Sequence, residues 1–124
     1  KLSPDASWGN RRWVLSEMKG VPVQLSGTRK DAYLEFTPEE KKFTGNGGCN
    51  RVSGEYKLEK KTGVKLENVI STKMSCNDIA FETSFLSLLN EVDRFKMEDN
   101  STLLLQDGNK VILKFIPGGR DNRN

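Results

Sequence analysis

The chain has 124 residues, 35% of them hydrophobic and 30% charged, and its 20 basic and 17 acidic side chains leave a net charge of +3. That length builds one domain with a single substantial core. The near-balance of charge argues against a dedicated nucleic-acid binder, which needs a concentrated excess of Lys and Arg. No apolar run reaches the roughly 20 residues that cross a bilayer as a helix.

Residues 1–11, with Pro4 and Gly9, read as a polar leader; 12–116 form the domain and 117–124 a polar tail. The chain begins at Lys1 rather than Met, so an export signal upstream is compatible with it. Arg12-Trp13-Val14-Leu15 is the first β-prone run, followed by Val21-Pro22-Val23-Gln24-Leu25, which belongs at a sheet edge because Pro22 cannot donate a ladder bond. Ala32 to Phe36 is the next strand, Thr37 to Lys41 a turn, and Lys42-Phe43-Thr44 leads into the glycine-rich segment Gly45-Asn46-Gly47-Gly48-Cys49-Asn50. Ser53 to Leu58 alternates polar and apolar residues, and Val64-Lys65-Leu66 and Val69 to Thr72 read as two further strands.

The period then changes. Phe81, Phe85, Leu88, Leu89 and Val92 share one face at helical spacing, predicting a helix over about 78–92 with Asn77 or Asp78 as its cap. Three strands follow, Arg94 to Met97, Thr102 to Gln106 and Lys110 to Phe115, the last two joined by the hairpin signal Asp107-Gly108-Asn109. Eight or nine short strands with one amphipathic helix make an α+β pattern, mostly antiparallel. So many strands in so short a chain curl into a barrel-like sheet, with the helix packed on it.

The two cysteines, Cys49 and Cys76, each lie beside turn-forming residues. They read as a candidate disulfide, as two small buried thiols, or as a redox pair. A disulfide would close about 27 residues, worth roughly 3–4 kcal/mol in the chain-entropy model. With no histidine and no third cysteine, a zinc tetrahedron cannot be completed from N and S ligands. Other motif matches fail on context. Gly45-x-Gly47-x-x-Asn50 lacks the helix that a dinucleotide fingerprint opens, and Ser16-x-x-Lys19 with Lys61-Thr62-Gly63 lacks the scaffold of a serine β-lactamase. Asn100-Ser101-Thr102 is a glycosylation sequon that reads equally as a turn. No catalytic, cofactor or metal constellation is visible, so no cofactor is expected.

Trp13-x-Leu15, the Gly-Gly-Cys-Asn turn at 47–50, Gly54-x-Tyr56, Thr72-Lys73-Met74-Ser75-Cys76, Glu82-x-x-Phe85-Leu86-x-x-Leu89, Leu103-x-Leu105 and Leu113-x-Phe115 occur in this order. The series resembles the META domain, or HslJ-like, family over roughly Arg12 to Phe115; Ser75 stands where many members carry a small apolar residue. The resemblance implies a curved, barrel-like α+β domain in the bacterial cell envelope, periplasmic or at the outer membrane. It also implies lipid anchoring through residues upstream of Lys1 and, in some members, heat induction. It supplies no catalytic residues. The architecture is similar to that of secretin pilot proteins, which bind lipid in a cracked barrel.

The expected function is therefore a non-enzymatic, stress-associated envelope domain, monomeric, binding a protein or another envelope component. Its expected recognition surface is Asn46, Asn50, Arg51, Thr72 and Lys73, since turns on a rigid sheet are where binding residues sit; the competing reading is that these turns only shape the barrel. The alternative function is carriage of a lipid or small apolar ligand in the barrel, suggested by Leu103, Leu104 and Leu105 putting apolar groups on both faces of one strand.

Overall fold

Alternation of inward apolar and outward polar side chains organises the molecule, as in β4, where Phe43 and Gly45 are buried while Lys42 and Thr44 are exposed. A computed structural model describes residues 8–23, 32–75, 79–99 and 101–118. The elements are β1 (Arg12–Met18), β2 (Val21–Pro22), β3 (Tyr33–Thr37), β4 (Lys42–Asn46), β5 (Arg51–Glu59), β6 (Gly63–Ser71), α1 (Ile79–Leu89), β7 (Arg94–Glu98), β8 (Thr102–Asp107) and β9 (Lys110–Pro117). All pairings are antiparallel, in the order β2-β1-β3-β4-β5-β6-β7-β8-β9, and β1 also pairs with β9. The sheet therefore closes on itself, the curved α+β arrangement expected from the sequence.

Closure is uneven. β6 and β7 share one residue pair, Gly63 opposite Arg94, framed by hydrogen bonds from the Val64 amide to the Asp93 carbonyl (3.2 Å) and from the Phe95 amide to the Thr62 carbonyl (2.9 Å). Beyond that point β6 has no strand on its second side among the described residues.

Three expectations change in detail. The two strands predicted between Val64 and Thr72 are one strand, β6, carrying a bulge: Ser53 faces Ile70, but Glu55 faces Glu67. Asn68 takes the extra position at φ 54°, a conformation Asn tolerates, and its side-chain amide donates to Glu55 Oε1 at 2.9 Å. The edge strand at Val21 is only two residues long as described, with Gln24 and Leu25 outside the described residues. The helix ends at Leu89 rather than Val92, because the amides of Asn90, Glu91 and Val92 each bond to the carbonyl three residues back, a tightened terminal turn. Asn77 and Asp78, the predicted caps, lie outside the described residues.

The predicted hairpin forms, with Asp107 opposite Lys110. Gly108 has φ 62°, the first-position glycine of a II′ turn, and its amide donates to Asp93 Oδ1 at 2.9 Å.

The interior is one continuous core with two parts. In one, Trp8, Phe36, Phe43, Tyr56 and Phe95 form an aromatic cluster; Trp8 stands 4.7 Å from Phe36, 5.4 Å from Tyr56 and 5.1 Å from Phe95, ring centre to ring centre. Trp8 falls in the stretch the sequence marks as leader, yet it is 1% exposed. Its carbonyl accepts the Trp13 indole N–H at 2.9 Å. At the other end of the domain the Gly118 amide bonds to the Arg12 carbonyl at 2.8 Å.

In the second region α1 lays Phe85, Leu88 and Leu89 against the sheet, with Phe85 6.4 Å from Phe115. Leu103 and Leu105 point into this core. Leu104, on the opposite face, is also buried, and its cross-strand neighbours are Lys96 and Lys114, whose aliphatic stems suit it.

Candidate functional site

The loop between β4 and β5 is built by its own polar groups. The Gly47 amide bonds to the Asn50 carbonyl at 2.9 Å, and the Gly48 amide donates to Asn46 Oδ1 at 2.8 Å, an Asx-type turn. Gly48 has φ 113°, which a side chain would resist. The loop's remaining donors turn toward the helix. Glu82, in the first turn of α1 and 2% exposed, accepts the amides of Cys49 and Asn50 at Oε1 (3.1 and 2.7 Å) and the Asn50 side-chain amide at Oε2 (2.6 Å). A side chain on Gly47 would stand 2.8 Å from Glu82 Cγ, so glycine there is required by close approach.

Asn50 ties a third segment into this latch. Its Oδ1 accepts Thr72 Oγ1 (2.8 Å) and the Met74 amide (2.7 Å). Thr72 Oγ1 also accepts the Arg51 amide at 3.0 Å, while the Thr72 amide donates to the Arg51 carbonyl at 3.0 Å. Loop, strand exit and helix are thus held by one buried amide and one buried carboxylate. No cation takes part in these bonds; three charge-assisted hydrogen bonds offset the cost of burying the carboxylate.

The residues of the expected recognition surface differ in exposure. Asn46 and Asn50 are 4% and 2% exposed, Asn46 bonding within the loop and Asn50 to Glu82, Thr72 and Met74. Arg51, Thr72 and Lys73 are exposed. Of the candidate disulfide, Cys49 is half-buried and no described cysteine is a free thiol, while Cys76 lies outside the described residues. Glu82 is the residue the sequence reading missed. Its signal was its place three residues before Phe85 and seven before Leu89, a carboxylate on the apolar stripe of α1.

Outside the latch, a groove of about 580 Å³ runs over the outer face of β3–β6. Small side chains form its floor: Thr44 and Ser53, opposite one another, between the taller Tyr33 and Ile70. Arg51 and Thr72 stand at its end nearest the latch. Tyr33 is held from behind, because the Arg12 guanidinium lies 3.9 Å from its ring centre and bonds Glu35 at 2.6 Å. Ile70 is 66% exposed. Among the described residues no group of three or more His, Cys, Asp or Glu is placed to hold a metal ion, and no helix is long and apolar enough to cross a membrane.

A closed antiparallel sheet with, among the described residues, a single helix latched onto one loop defines a small barrel-like α+β domain. The family profile of the META domain matches residues 6–118, and the chain belongs to that family. The fold is similar to that of a protein from Burkholderia xenovorans solved by NMR (TM-score 0.71, 23% identity, covering 95% of this chain and 90% of that one). It is also similar to a crystal structure of a DUF4847 family protein from Bacteroides vulgatus (TM-score 0.68, 18% identity, covering 94% and 99%). No sequence among curated proteins matches.

Proposed function

We propose that this META domain is a non-enzymatic, stress-associated module of the bacterial cell envelope that binds a protein or another envelope component through the outer face of β3–β6. The observation that carries the reading is the groove, a trough of hydroxyl side chains with an exposed Ile70 on one wall and the Arg51 guanidinium at one end. Its described lining holds no carboxylate, thiol or histidine to act as base or nucleophile. A crosslink between Cys49 and Cys76 belongs to the same proposal. It would fasten the loop at the end of the groove to the segment leading into α1, as suits an oxidising compartment.

Carriage of lipid inside the barrel is less well supported. Trp8, Phe36, Phe43, Phe85 and Phe115 are buried in the interior that such a ligand would occupy.

The test is site-specific photo-crosslinking in the native cell. A photoreactive residue at Thr44 or Ile70 is expected to trap a discrete envelope partner, whereas one at the exposed Lys110 on β9 is not. Equal or absent crosslinking from both faces removes the groove as the binding surface. Lipid retained by the purified protein in native mass spectrometry would favour the carrier instead.

A further inference from the structure

Resting on the reading of the β3–β6 face as a binding surface, we propose that the partner is an extended, acidic polypeptide segment that adds to β6 as an extra strand and places a carboxylate at Arg51. Two independent observations meet here. The first is the incomplete seam. The Val64 amide bonds across to Asp93, and since peptide groups along a strand alternate sides, that of Leu66 projects the same way. At the other end the Thr72 amide bonds back to Arg51 on β5, so the peptide group of Ser71 projects outward. Between Lys65 and Ser71, β6 therefore offers ladder groups that no strand takes up among the described residues. Such an edge is a template for strand addition, with main-chain bonds giving affinity and side-chain pockets giving selectivity.

The second observation is the charge of the groove beside that edge. Among the described residues Arg51 is its only charged lining residue, and the rest are Tyr33, Thr44, Gly45, Val52, Ser53, Ile70, Ser71 and Thr72. A guanidinium among hydroxyls complements a carboxylate and not a cation. Ile70, 66% exposed on the strand nearest the edge, supplies an apolar contact for an alternating partner strand. The bulge at Asn68 bends β6 between its two outward-facing stretches, so the segment pairs at Leu66 and at Ser71 and not continuously.

The experiment uses a fluorescein-labelled heptapeptide of alternating Thr and Val with a central Glu, measured by anisotropy. Replacing the peptide's Glu by Gln is expected to weaken binding about tenfold. Replacing a neighbouring Val by Pro is expected to abolish it, because proline cannot extend the ladder. In the Arg51→Gln protein, checked for unchanged thermal stability, the Glu and Gln peptides are expected to bind equally. On binding, the Leu66 and Ser71 amides gain hydrogen-exchange protection. Equal binding of the proline peptide overturns strand addition, and discrimination that survives in Arg51→Gln overturns the carboxylate subsite. Concentration-dependent dimerisation with the two amides already protected assigns the edge to a second copy of the chain and also overturns the proposal. If photo-crosslinks form at Ile70 while the peptides fail, this inference falls and the binding-surface reading stands; if the crosslinks themselves fail, the reading falls.

Discussion

The aromatic cluster around Trp8 and the latch around Glu82 hold the domain by opposite means. The cluster is large, apolar and nearly without direction: rings meet at 4.7–6.0 Å with interplanar angles from 46° to 86°. Its energy comes from area removed from water and from close packing. The latch is small and directional, with each oxygen of Glu82 and Asn50 aimed at particular donors. The cluster should respond to changes of volume, and the latch to changes of donor and acceptor at constant volume.

Substitutions separate the two. Trp8→Ala is expected to cost the most, about 3–5 kcal/mol in chemical unfolding, whereas Trp8→Phe should recover much of that loss. The indole Nε1 is buried with no acceptor among the described residues, so phenylalanine forfeits no hydrogen bond there. If Phe and Ala cost the same, the cluster is not a volume-filling device.

The nearly isosteric Asn50→Asp comes next, at about 3 kcal/mol near neutral pH, because it sets a second carboxylate where the amide now lies 2.6 Å from Glu82. Two acids that close share a proton in the folded state that the unfolded chain has released. The loss should therefore shrink as pH falls to about 4, read from unfolding midpoints across pH. A pH-independent loss would break the electrostatic account.

Glu82→Gln, also of unchanged volume, is expected to cost about 2–3 kcal/mol. Its amide must face either the backbone donors of Cys49 and Asn50 or the Asn50 side-chain amide, a donor against a donor in both orientations. Gly47→Ala should cost about 1–3 kcal/mol through displacement of Glu82, with the largest NMR shifts at Cys49 and Asn50. Arg51→Gln, exposed and outside both regions, should change stability by less than about 0.5 kcal/mol, as measured by thermal melting.

The same contrast explains what could be read from the sequence. Periodicity exposed the strands, the helix and most of the core, since Phe36, Phe43, Phe85 and Phe115 sit where alternation or helical spacing puts them. Trp8 was illegible because it stands alone among polar residues, with no neighbouring period to mark it as inward. The two runs around Asn68 looked like separate strands because a bulge shifts the alternation by one residue, and pattern reading takes such a shift for a break.

The latch was half legible. The glycines announced the loop, and Asn46 and Asn50 were rightly placed in it. Polar side chains in a turn suggest solvent by default, and only the carboxylate of Glu82, 32 residues along the chain from Asn50, turns them inward. Partners that distant leave no spacing rule to follow.

The single pair joining Gly63 to Arg94 also governs how the ring yields. Every other seam in the closed circuit runs through several cross-strand rungs, so thermal breathing is expected to begin at this fault line. Parting there would turn the circle into an open ribbon with its hairpins intact. Because α1 is the chain's link between the two lips of that split and is pinned to the β4–β5 loop through Glu82, the helix tethers them without lying along the open rim of β6. Loosening it would widen the gap without dismantling the sheet.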